Sequence, residues 1–109
     1  MKKICQVAII GAGPAGLFAA LELVKKGIKD IIIFDKGPHI SKRTSKDTMC
    51  GVGGSGTYSD GKLHFSLTLS QERLLDFLSM ADTLSLLNRL EQDFLNFGVI
   101  SSILGCITI

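Results

Sequence analysis

Apolar positions along this 109-residue chain fall into short β-branched runs and longer helical stripes, and the switches between them fall at glycines. Residues 4–10 (ICQVAII) are almost wholly apolar, which predicts a parallel strand covered on both faces. Gly11 ends it. Pro14 suits the first turn of a helix, where its missing N–H costs nothing, and Leu17, Leu21 and Val24 then repeat at helical spacing. Lys25 and Lys26 favour the negative end of the helix dipole, and Gly27 supplies a left-handed cap. Residues 30–35 (DIIIFD) are a second strand, so the first third of the chain reads as a βαβ unit with a right-handed crossover.

Periodicity is lost over residues 36–59, which are rich in Gly, Ser, Thr and Lys and read as a loop. Loops beyond about 12 to 15 residues are uncommon in compact domains and tend to be functional or disordered. Helical spacing returns over residues 70–97, through Leu74, Leu78, Ala81, Leu87, Leu90, Phe94 and Phe97. That pattern predicts a core-facing helix, or two broken near Asp82 and Thr83, ending at Gly98. Residues 99–109 (VISSILGCITI) read as a third strand, and their uncapped apolar run gives the chain the look of a truncated one. No internal repeat is present. The expected class is therefore α/β, a Rossmann-like βαβ unit with a Gly-rich loop over residues 1–63 and a helical segment with an apolar tail over 64–109.

Composition narrows the function. A hydrophobic fraction of 46% with dispersed charges excludes wholesale disorder. Twelve basic and ten acidic residues give a net charge of +2, too weak and too scattered for a nucleic-acid footprint. Cys5, Cys50 and Cys106 are odd in number, far apart and without CxxC spacing, so neither a disulfide framework nor a metal site is expected, and a reducing cytoplasm is the default. Met1, Lys2 and Lys3 ahead of an apolar run imitate a secretory signal, but Gly11, Gly13, Pro14 and Gly16 interrupt it. Glu22 follows long before the roughly 20 apolar residues that span a bilayer, so no membrane association is expected.

The chemistry lies in the glycines. Gly11-Ala12-Gly13-Pro14-Ala15-Gly16 is a GxGxxG that follows a predicted strand, opens a predicted helix, and precedes Asp35 at the end of the next strand by nineteen positions from Gly16. This is the context of a dinucleotide-binding turn. Gly11 permits the tight turn, Gly13 lets the backbone approach a pyrophosphate, and Gly16 lets helix and strand pack closely. The helix N-terminus offers free N–H groups to phosphate. Asp35 reads as an acceptor for the adenosine ribose hydroxyls, or as a cap or turn residue. An acid there disfavours a 2′-phosphate, which leaves FAD and NAD. Lys36 beside it, and the cluster Lys42, Arg43 and Lys46, stand where they either reach phosphate or are simply solvated.

A second glycine cluster, GVGGSGTYSDGKL from Gly51 to Leu63, carries a resemblance. Together with GAGPAG it is similar to the amino-terminal part of FAD-dependent dehydrogenases of the two-dinucleotide-binding-domain flavoprotein superfamily. The nearest likeness is to a largely uncharacterised bacterial and archaeal group with a GxGGxGT(F/Y)SDGKL segment. The resemblance implies that Gly11, Gly13, Gly16 and Asp35 hold the ADP half of FAD, while Gly53, Gly54, Ser55 and Gly56 pass close to the pyrophosphate and flavin. Closely spaced glycines suit that task, since a backbone without Cβ atoms comes close to a ligand and successive N–H groups form an anion nest. The implied chemistry is flavin redox, with NAD(P)H as a candidate electron donor in the full-length protein.

No side chain stands out as acid, base or nucleophile, and the catalytic residues are not identifiable. His39 and His64 lack metal-ligand spacing; Asp60 and Lys62 read equally as turn or substrate residues; Cys50 has no resolving partner. Members of the resembled group are much longer, so this chain alone is expected to bind FAD weakly or not at all and to be too short for activity. A partner chain supplying the missing half is one alternative, and an NAD-binding module or a non-catalytic remnant are others.

Overall fold

The computed structural model describes residues 4–64, 74–98, 100–101 and 106–108. The chain forms two compact units, Met1–Ser59 and Asp60–Ile109.

The first unit is the expected βαβ. Strand β1 (Val7–Ile10) pairs in parallel with β2 (Ile31–Phe34), Val7 opposite Ile31 and Ile10 opposite Phe34, and α1 (Pro14–Lys25) makes the crossover. Strand β1 is shorter than its apolar run, whereas β2 spans the whole of its own between Asp30 and Asp35. Residues 4–6 find no strand opposite them, because β2 begins at Ile31; Gln6 instead donates its N–H to the Asp30 carbonyl and carboxylate. Gly27, at φ +85°, closes α1 as a left-handed cap, with its N–H on the Val24 carbonyl and that of Ile28 on the Leu23 carbonyl.

Ile10 is 83% and Phe34 53% exposed: the apolar runs are of the kind covered on both faces, but two parallel strands and one crossover helix are expected to leave a sheet face and both edges poorly covered. The expected stripe of α1 is met in part: Leu21 is partly covered, with Gly16, Ala20 and Leu23 beside it, while Leu17 and Val24 are exposed. A Cβ on Gly16 would collide with the Gly11 carbonyl oxygen and come within 3.2 Å of the Ile9 side chain. Ala12, between strand and helix, is the one buried hydrophobic residue among those described.

The loop over residues 36–59 carries no strand but is not structureless. Three short 3₁₀ turns, Ile40–Lys42, Ser45–Asp47 and Gly54–Tyr58, punctuate it. The middle one is held by a reciprocal cap, with the Thr44 hydroxyl accepting from the Lys46 N–H and the Asp47 carboxylate from the Thr44 N–H.

In the second unit, β3 (Lys62–His64) runs antiparallel to β5 (Cys106–Thr108), which pairs antiparallel with β4 (Ile100–Ser101). The single strand expected over residues 99–109 is thus two short ones, and β3 was too short to show a period. Of the long helix, residues 70–73 lie outside those described, Leu74–Asp76 form a 3₁₀ turn, and α2 runs Met80–Asn96. The break expected at Asp82 and Thr83 lies before Met80. Ser79 caps α2 by accepting from the Asp82 N–H at 3.1 Å, and the buried Thr83 hydroxyl donates to the Ser79 carbonyl at 2.9 Å, so both residues belong to the first turn.

Replacing Gly16 by alanine is expected to destabilise the first unit by about 1–3 kcal/mol or more, since the collision is with backbone. Urea unfolding followed through Tyr58, the single tyrosine in a chain without tryptophan, measures this; an unchanged midpoint would contradict the packing described.

Candidate functional site

The first glycine turn is built around opposite requirements at residues three apart. Gly11, at φ +98°, turns the chain out of β1 while its N–H donates to the Phe34 carbonyl at 2.7 Å. Gly16 has no room for a side chain, whereas a Cβ on Gly13 would meet nothing within 4 Å. Helix α1 opens at Pro14 with no side-chain cap on Gly13, and the N–H groups of Ala15 and Gly16 find no acceptor among the described residues. An uncapped helix end with open backbone in front of it suits an anion.

Asp35 ties this turn to the loop. Its Oδ2 accepts from the Ala12 N–H at 2.8 Å, and its Oδ1 from the N–H groups of Gly37 and Gly51, each at 2.8 Å. These bonds, that of Ala12 foremost and then Gly37, hold its carboxyl below the usual carboxylate range; partial burial opposes the shift, and Gly51 and the Arg43 charge add to it. A carboxylate has about four lone-pair positions, so one remains on Oδ2.

The second glycine segment lies against the first. Gly53 donates its N–H to the Ala12 carbonyl at 2.8 Å, and a Cβ on Gly54 would fall 3.1 Å from Pro14 and 3.2 Å from Gly13. Gly51, Gly53 and Gly54 all have positive φ, a run that side chains would strain. Ser55 and Gly56 follow on the exposed 3₁₀ turn. A cleft of about 260 Å³ opens beside the joined segments, lined by Ile10, Gly11, Phe34, Asp35, Lys36, Met49 and Cys50.

The structure therefore brings together Gly11, Ala12, Gly13, Pro14, Ala15, Gly16, Asp35, Gly53 and Gly54, with Lys36 on the cleft wall. Arg43 is placed differently from a phosphate-reaching cation: its guanidinium turns into the loop and donates to five acceptors there. Sequence reasoning missed Gly37 and Gly51 as donors to Asp35, and Ile10, Phe34 and Met49 as apolar lining. The exposed ends of the strands, where apolar runs outlast their cover, were the available signal for the last three.

Lys62 donates its N–H to the Asp60 carboxylate and pairs with it at 3.3 Å, an exposed turn. His39 caps a 3₁₀ turn, and no cluster of metal-ligating side chains occurs among the described residues. Cys5 and Cys50 are free thiols. No helix among the described residues is long and apolar enough to cross a membrane.

Comparison with known proteins decides between FAD and NAD. The model of the FAD dependent oxidoreductase family, DAO, matches residues 6–97. The chain belongs to this family. Its members are FAD dependent, and the βαβ unit is consistent with the Rossmann-like fold in which dinucleotide cofactors are held. An uncharacterized protein of Clostridium beijerinckii is 38% identical over 69 residues, 50% of this chain and 13% of that protein. A tryptophan 2-monooxygenase of Pseudomonas savastanoi is 45% identical over 38 residues, 35% of this chain and 7% of the relative. The chain thus spans a small part of the length of either. No solved structure matches significantly.

The lowered pKa of Asp35 fixes the sign of its pH dependence. Its stabilisation is complete above the ordinary value of 3.8 and is lost as pH falls through the lower folded value. Amide exchange at Ala12, Gly37 and Gly51 is expected to lose protection only in that acid range. Asp35→Asn places an NH₂ or leaves too few lone pairs against three donors, so protection of at least one of these amides is expected to fall at neutral pH. Wild-type protection of all three in the variant would contradict the hub.

Proposed function

We propose that the first unit binds the adenosine diphosphate half of FAD and forms the nucleotide-binding part of a flavin-dependent dehydrogenase acting within a longer assembly. The observation that carries this reading is the contrast between Gly16, which has no space above it, and Gly13, which has nothing but space. A merely structural glycine turn needs the first and has no use for the second. The residues fit the cofactor in three further respects. The free N–H groups at the start of α1 suit the pyrophosphate. The remaining acceptor position of Asp35 suits one ribose hydroxyl, with Lys36 on the same cleft wall. The left-handed run at Gly53 and Gly54 keeps side chains away from the opening beside Gly13, with Ser55 and Gly56 next in line toward the flavin.

When bound, the flavin supplies redox chemistry by accepting hydride or electrons. The chain's own residues bind and orient it; none described here stands as a proton donor or acceptor for a substrate. Given the share of its relatives that the chain spans, the substrate site belongs to further polypeptide, in the same protein or a partner chain, with NAD(P)H as the proposed reductant. Cys5 and Cys50, free thiols among the described residues, suit a reducing cytoplasm.

The test separates binding from folding. FAD titrated into the chain is expected to show saturable, ADP-competed quenching of flavin fluorescence, weak because only part of the cofactor is held. Gly13→Ala is expected to weaken FAD at least about tenfold, near 1.4 kcal/mol, while costing under about 1 kcal/mol in stability as a change of cap. Equal affinity in this variant, or saturation by NAD with none by FAD, would contradict the proposal.

A further inference from the structure

Arg43 spends its guanidinium on the loop itself. Nη1 donates to the carbonyls of Val52 and Gly54, each at 2.8 Å, and to the Thr57 hydroxyl at 2.7 Å; Nη2 donates to the carbonyls of Asp47 and Thr48 at 2.8 and 3.3 Å. Its cation lies 5.0 Å from the ring centre of Tyr58, whose hydroxyl donates to the Thr44 carbonyl at 2.7 Å. Thr57 in turn donates to the Gly54 carbonyl at 2.9 Å. One planar fork therefore joins the 3₁₀ turn at Ser45–Asp47, the left-handed glycines and the 3₁₀ turn at Gly54–Tyr58. These glycines have little reason of their own to hold one shape, since glycine loses more conformational freedom on ordering than any other residue.

We infer that Arg43 is a positioning residue for the cofactor: through the Val52 and Gly54 carbonyls, Thr57 and Tyr58, it fixes the second glycine segment against Gly13 and Pro14. This rests on the reading that the two glycine segments jointly hold FAD. Pre-ordering the segment removes an entropy cost that binding would otherwise carry. A cation that touched phosphate directly would act through charge, which lysine also provides. A fork that gathers five acceptors acts through shape, which lysine lacks.

The experiment measures FAD affinity of the full chain by flavin fluorescence, beside the near-ultraviolet circular dichroism of Tyr58 without FAD. Arg43→Gln and Arg43→Lys are both expected to weaken FAD by about tenfold or more, as lost bonds to a charged group imply, and to change the Tyr58 signal alike. Thr57→Val, which alters no charge, is expected to weaken FAD by roughly three- to tenfold in the wild-type background and to add little in the Arg43→Gln background. Wild-type affinity in Arg43→Lys, or a silent Thr57→Val, would overturn the inference in favour of a direct charge contact. If far-ultraviolet dichroism shows the Arg43 variants unfolded, Thr57→Val and Tyr58→Phe decide: weakened FAD in both with a native fold supports positioning, and wild-type affinity in both overturns it. A native wild-type chain that ignores FAD would instead remove the underlying reading of the site, and the inference with it.

Discussion

Three backbone N–H groups converge on the carboxylate of Asp35, and the shape of the first unit depends on that convergence. Ala12 brings the turn between β1 and α1, Gly37 the exit from β2, and Gly51 the start of the second glycine segment. The segments are far apart in sequence. Gly37 and Gly51 pack so closely that a Cβ on Gly37 would strike the Gly51 backbone. A short side chain with several acceptor positions is what allows three such approaches at one point.

This polar joint matters more because the apolar core is thin. Ala12 is the buried hydrophobic residue of the described set, while Ile4, Ile10 and Phe34 leave much of their surface in water. Bonds to charged groups then carry a larger share of the order than in a domain with a deep core. Arg43 plays the matching part within the loop, a cation gathering carbonyls where Asp35 is an anion gathering N–H groups. A site for a dinucleotide benefits from this division, because the backbone is already bent to the ligand's outline before the ligand arrives.

Much of this was legible in the residues. The GxGxxG turn between an apolar run and a helical stripe, followed by Asp35, specified the βαβ unit, and the Gly13–Gly16 contrast follows from the spacing of that motif. The boundaries were less legible, because an apolar run records a preference for burial and not the length of the strand opposite; residues 4–6 show the difference. The face of α1 was legible only in part. Leucine spacing marked Leu17, Leu21 and Val24, of which Leu21 is partly covered, but the closest approach of helix to strand is at Gly16, which the apolar stripe did not include. Arg43 was named as a cofactor residue on charge alone, and its actual acceptors are four backbone carbonyls and the Thr57 hydroxyl, a set that no side-chain pattern announces. The start of α2 was readable in principle, since Ser79 three residues before Asp82 is a cap signal that the longer apolar stripe concealed.

The central claim is that two glycine segments, forty residues apart in sequence, form one nucleotide site. The most direct test is amide chemical-shift mapping of the full chain during titration with ADP and then FAD. The account predicts shifts at Ala12, Gly13, Ala15 and Gly16 together with Gly51, Gly53 and Gly54, all following a single saturation curve. Shifts confined to the first segment, or two segments saturating at different concentrations, would contradict it.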